Sequence, residues 1–149
     1  VILERPYPRM CGPSLVFPFY MPGATEPHAY RLRPNNPRTE KRRGKPRLVK
    51  YDQARRPGLL VYFAPRARAS GAYGDVSSLC VWTEGEKKAL ALDQLGFTCV
   101  GLTGVWNWTD PEERADSGAD QLHPTLRMHV TVAGREHLIV FDADSHEKK

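Results

Sequence analysis

Three acidic residues carry the chemistry this sequence offers. Glu84 ends the apolar run SLCVWT, and Asp142 and Asp144 follow the apolar run HLIVF. On an extended backbone, residues two apart leave on the same side, so the carboxylates of Asp142 and Asp144 converge, with only the small Ala143 between them. Two hard oxygen donors aimed at one point suit Mg²⁺ (or Mn²⁺), which accepts one or two carboxylates and completes its octahedron with water and phosphate oxygens. Without a cation the pair repels. Glu84 either completes the metal shell or acts as general acid or base beside a reacting phosphate. Lys87 and Lys88 just after it either touch a phosphate or, on a helix beside Glu84 and Glu86, form a solvated charged face. Trp106 and Trp108 either stack on a base or pack against the sheet. Cys11, Cys80 and Cys99 are far apart, odd in number and without a CxxC pair, and the five histidines show no metal-ligand spacing.

The acids need elements to position them. SLCVWTEG (78–85) reads as a strand buried on both faces. EKKALALDQLG follows, where Ala89, Leu92 and Leu95, widened by Leu90 and Ala91, recur at helical spacing and Gly96 supplies a left-handed stop. FTCVGLTG (97–104) is again a strand. Strand, helix and strand in that order predict a βαβ unit with a right-handed crossover. After an acidic, irregular stretch from Asp110 to Asp120, a short helix is expected near 122–128, and HLIVFDAD (137–144) reads as a third buried strand. Glu84 and the Asp pair then stand at carboxyl ends of strands, the edge where ligands bind in open α/β sheets. A single acid at a strand end is more often a turn former or helix cap; it is the ordered combination that points to a site.

The first half reads differently. Residues 1–70 hold 15 Lys and Arg against 4 Asp and Glu, and residues 71–149 hold 7 against 13, within a formal charge of +5 over 149 residues. LVFPFYMPG (15–23) and HAYRLRP (28–34) predict an antiparallel strand pair, and LLVYFAP (59–65) a further short strand closing this region. PNNPRTEKRRGKPR between them has almost no apolar residues and reads as a mobile loop. Eleven basic side chains between Arg31 and Arg56 face only Glu40 and Asp52. The default for such a run is a solvated loop, yet its self-repulsion is relieved by phosphates. Arg31, Arg33, Arg42, Arg43, Lys45, Arg47 and Lys50, flanked by Tyr30 and Tyr51, suit a single-stranded nucleic acid. No stretch approaches the ~20 apolar residues of a membrane-spanning helix, and the start lacks the apolar core of a secretory signal. We expect a cytoplasmic protein that keeps its cysteines reduced. With Val first and Lys149 soon after an apolar run, we also expect a fragment cut at both ends.

VWTEGEKKALALDQLGF followed by LIVFDAD resembles the Toprim domain, the nucleotidyl-transfer and strand-cleavage module of topoisomerases, DnaG-type primases and certain nucleases. The Glu-Gly motif matches at Glu84 and Gly85, and the Asp-x-Asp motif at Asp142 and Asp144. The fuller string TEGEKKA with LTGVWNW is similar to a primase-like Toprim branch of unknown function found in phage, plasmid and mobile-element replication proteins. FPFYMPGATEPHAYRLRP and KPRLVKY are more loosely similar to the segment preceding Toprim in DnaG-type primases. The resemblance implies an α/β fold with a Toprim-like parallel sheet core (78–149), truncated at its C-terminus; composition and charge place before it a strand-rich basic subdomain (1–70) and a linker (71–77). It implies Mg²⁺-dependent primer synthesis on a single-stranded DNA template, with nucleotides as substrates and a replicative helicase as possible partner. Asp142 and Asp144 then hold the metal and Glu84 is catalytic. Phosphodiester cleavage and a non-catalytic DNA-binding role beside a helicase stay open as alternatives. Family members continue past Asp-x-Asp with a helix and a strand, so the full-length protein is the expected enzyme and this stretch alone is expected to be nearly inactive. The zinc-binding ligands that primases carry are missing from this sequence.

Overall fold

The computed structural model describes residues 6–54, 60–110 and 121–142. The chain forms two compact units, residues 1–20 with 25–58, and residues 21–24 with 59–149.

In the first unit β1 (Ser14–Phe19) pairs antiparallel with β2 (Ala29–Pro34), as the alternation of these segments predicts. Phe17 and Phe19, two apart and therefore on one face, are buried. The edge position of β1 lets it accommodate Pro18, which lacks an N–H to donate. Residues 39–48 are a correction. Where the lack of apolar residues predicts a mobile loop, β3 (Thr39–Arg42) and β4 (Lys45–Leu48) form an antiparallel hairpin with every residue exposed. Its two-residue turn has Arg43 at φ 50° and Gly44 at φ 76°, the doubly left-handed geometry whose twist matches paired strands. β5 (Asp52–Gln53) returns to β2, completing the three-stranded sheet β1-β2-β5.

The second unit is a four-stranded mixed sheet in the order β6-β8-β7-β9. β7 (Cys80–Glu84), α2 (Glu86–Gln94) and β8 (Thr98–Leu102) form the expected βαβ unit, with β7 and β8 parallel. Gly96, at φ 92°, ends the helix, and the Phe97 N–H donates back to the Leu92 carbonyl at 3.1 Å. Gly101 on β8 lies so close to the start of α2 that a Cβ there would be 2.9 Å from the Gly85 carbonyl oxygen and 3.1 Å from Ala89 Cβ. The absent side chain lets the helix sit down on the sheet. A short helix, α3 (Pro124–His129), stands where one is expected, with the His123 ring accepting from the Thr125 N–H at 3.2 Å as its cap. Residues 111–120 of the acidic stretch lie outside the described residues.

Four features depart from the sequence reading. β6 (Val61–Phe63) belongs to this second unit, antiparallel to β8, so the boundary falls at 58/59 and not at 70. Residues 71–77 are not a linker. Tyr73 there is buried edge-on against Phe63 at 5.1 Å; its hydroxyl donates to the Cys99 carbonyl at 2.5 Å and accepts from the Ala64 N–H at 2.8 Å. Arg135, also buried, closes over the same segment and donates to the carbonyls of Ala72, Tyr73 and Asp75. The buried side of α2 consists of Glu86, Ala89 and Asp93, while Leu95 is 75% exposed. Asp93 is inside because its carboxylate accepts from the N–H groups of Arg66 and Ala67, both at 3.0 Å, and so caps α1 (Pro65–Ala69). Finally β9 (His137–Val140), expected to be buried, is among the described residues an edge strand with Leu138, Ile139 and Val140 exposed.

Candidate active site at the carboxyl edge of the sheet

β7 and β9 are parallel neighbours in register, with Cys80 opposite His137 and Thr83 opposite Val140. Their carboxyl ends therefore reach the same sheet edge, and β8 ends there too, with Leu102 opposite Glu84. Glu84 is the last residue of β7 and is half-buried; it has no hydrogen bond or ion pair to another described residue. Gly85 follows at φ 85°, a conformation that lets the chain turn sharply from strand into α2. Its N–H donates to the Leu102 carbonyl at 2.7 Å, so the Glu84–Gly85 turn is tied to the neighbouring strand.

Asp142, exposed, lies just beyond β9. Its Oδ2 is 2.5 Å from Lys88 Nζ, one turn into α2. Of the two lysines considered as phosphate contacts, Lys88 is thus an ion-pair partner of a candidate metal ligand, and Lys87 is exposed to solvent. Asp144 lies outside the described residues. Among the described residues no group of three or more His, Cys, Asp or Glu is placed to hold a metal ion. The donor chemistry of Asp142 nevertheless fits a hard cation, and its carboxylate already holds one cationic group, the Lys88 ammonium.

The two tryptophans separate. Trp108 packs against the hydrophobic core, while Trp106 is 64% exposed. The buried cysteines are poor nucleophiles, since burial pushes the thiols of Cys80 and Cys99 up to about 11 and about 12. Trp82 Nε1 donates to His137 Nδ1 at 3.0 Å, which ties the buried strand β7 to the edge strand β9.

The basic residues divide as well. The Arg31 and Arg33 guanidinium groups lie over the Tyr51 ring, 4.2 and 5.4 Å from its centre, and Arg33 also donates to the Tyr51 hydroxyl at 3.0 Å. This aromatic face is used within the unit. Arg42, Arg43, Lys45 and Arg47 line a shallow concavity at the hairpin end, and Lys50 is exposed. Arg38, not singled out by sequence, bonds to both Glu40 and the buried Asp52. Hydrogen bonding to Asp52 raises its pKa still further, so it is permanently charged. Its signal in the sequence was the pair of acids, the only two within the basic run.

A family profile described as Domain of unknown function (DUF3854) matches residues 75–149, half of the chain. Comparison with curated proteins returned no match, nor did comparison with solved structures.

Proposed function

We propose, for a chain that belongs to the family described as Domain of unknown function (DUF3854), that its sheet edge is a Toprim-type nucleotidyl-transfer site serving primer synthesis on a DNA template. The observation that supports this reading is the register of β7 and β9, which brings Glu84 and Asp142 to one edge on adjacent parallel strands. Asp142, with Asp144 two residues on, would hold Mg²⁺ (or Mn²⁺), and bound there the metal supplies charge neutralisation for a nucleotide's phosphates. Glu84, on the tied turn before α2, accepts the proton of the attacking 3′-hydroxyl. The new bond forms between that oxygen and the α-phosphorus as the bond to the pyrophosphate leaving group breaks. Lys88 is within reach of the same edge and counters the charge of Asp142. The partners on this reading are single-stranded DNA, nucleotides and a replicative helicase, in the cytoplasm. Among the described residues no helix is long and apolar enough to cross a membrane.

The Lys88–Asp142 ion pair also favours a second reading, in which the edge is self-neutralised and the domain is a non-catalytic DNA-binding accessory. Nucleotide incorporation by the full-length protein separates the two. On the first reading, incorporation requires a divalent metal, and E84Q loses most activity while still binding DNA. Full activity in E84Q refutes the role of Glu84; metal-dependent cleavage of DNA without incorporation moves the assignment to a nuclease.

A further inference from the structure

The β3–β4 hairpin has no buried face, so packing does not dictate its side chains. Its register pairs Arg42 with Lys45 and Glu40 with Arg47. Directly opposite side chains share a face, and so do alternate residues, which puts Glu40, Arg42, Lys45 and Arg47 together on one side. Thr39, Lys41, Pro46 and Leu48 take the other. Arg42 and Lys45 are like charges about 4.5–5.5 Å apart at Cβ, an arrangement that destabilises a ladder. Arg43 at the turn adds a third cation. None of Arg42, Arg43, Lys45 or Arg47 has an ion-pair partner among the described residues. The one acid on this face, Glu40, is taken by Arg38, whose Nε and Nη2 donate to a single Glu40 oxygen at 2.9 and 2.7 Å. Arg38 is itself anchored on Asp52, 2% exposed in β5.

We propose that this face of the hairpin is a binding site for a nucleic-acid phosphate backbone, contacted by Arg42, Arg43, Lys45 and Arg47, and that Arg38 is its positioning residue, keeping the Glu40 carboxylate neutralised and away from the phosphates. Arg31 and Arg33 are not part of this face, since they lie on β2 against Tyr51 and not on the hairpin. Lys45 and Arg47 are about 6.8 Å apart along the strand, a spacing that follows an extended chain of phosphates and does not enclose a single small anion. An anionic membrane is the less suitable partner, since the cationic face has no apolar side chain to insert. The inference builds on the nucleic-acid part of the proposed function and is independent of its transfer chemistry.

The test is fluorescence anisotropy on the 149-residue chain with labelled oligo(dT) and, separately, a labelled DNA duplex, across a salt series without metal or nucleotide. R42Q/K45Q/R47Q removes three phosphate contacts and should lower the slope of log K against log salt by about 2 on single strands. That is about a hundredfold in affinity for each tenfold change in salt. R38Q should lower the slope by about 0.7 although it removes no contact, and R38Q/E40Q should restore it. E40R, which keeps the Arg38–Asp52 pair, should steepen it by a similar amount. Duplex and single strand share the chemistry; losing three contacts lowers the slope by about 2.1 on single strands and about 2.7 on duplex, and the one whose slope falls by its full amount identifies the source. Equal slopes for wild type and the triple variant on both, or binding only to anionic vesicles, overturn the site. Wild-type behaviour of R38Q, or failure of E40Q to rescue it, overturns the role of Arg38. The assay contains neither metal nor nucleotide, so failure of the transfer chemistry registers separately.

Discussion

The Lys88–Asp142 pair makes a quantitative statement about metal binding at the sheet edge. A cation that binds Asp142 competes with the lysine ammonium for its carboxylate charge. The side chains are 42% and 53% exposed, so their attraction is screened by water, and pairs of this kind contribute about 0.2–1 kcal/mol. Removing the lysine therefore removes a competitor of that strength, which is about a 1.4- to 5-fold gain in metal affinity. K88M keeps the apolar stem and deletes the charge. Mn²⁺ titration, followed by paramagnetic broadening of resonances around residues 84–88 and 142, should show a lower dissociation constant for K88M than for wild type. D142N should abolish the broadening in both backgrounds. An unchanged or weaker affinity in K88M would mean that the metal and Lys88 do not compete at Asp142, and broadening that persists in D142N would end the assignment of Asp142 as a ligand.

Three further outcomes test the framework around the site. D93A leaves two N–H groups of α1 without their cap and should destabilise the second unit by about 2–4 kcal/mol, read as a lower urea midpoint in tryptophan fluorescence, since Trp82, Trp106 and Trp108 all belong to that unit. G101A forces a Cβ into the Gly85 backbone and should cost about 1–3 kcal/mol and weaken Mn²⁺ binding, whereas alanine at the open Gly134, strained only through its φ of 87°, should leave metal affinity unchanged. Burial, and then the Arg135 charge, hold His137 below its ordinary value, so the folded state favours the neutral ring that accepts from Trp82. Its contribution to stability is complete above the ordinary histidine pKa of about 6.5 and is lost as pH falls through the lower folded value. The unfolding midpoint should drop as pH falls below about 6.5, and H137Q should flatten part of that fall.

What the sequence determined on its own is what short-range physics controls. Four successive buried residues from Cys80 to Thr83, the glycines at 85 and 96, and the apolar run into Leu102 specify strand, turn, helix and strand without reference to the rest of the chain. Glu84 was legible because it closes such a run. Tertiary structure decided everything that depends on a distant partner. Val61–Phe63 looks the same whether it pairs with β2 or β8, and only long-range hydrogen bonding assigns it to β8. Asp93 reads as a solvent-facing helical acid until the N–H groups of α1, nearly thirty residues upstream, draw it inside. The hairpin at 39–48 gives no hydrophobic signal because it has no buried face; its one local cue is the Arg43–Gly44 turn between two short equal runs. Lys88 likewise cannot choose between solvent, phosphate and carboxylate from its own neighbours, and the alignment of β9 beside β7 places Asp142 against it. Hydrophobic period and turn chemistry are properties of a few adjacent residues, whereas pairing, capping and charge compensation belong to residues that meet only when the chain has folded.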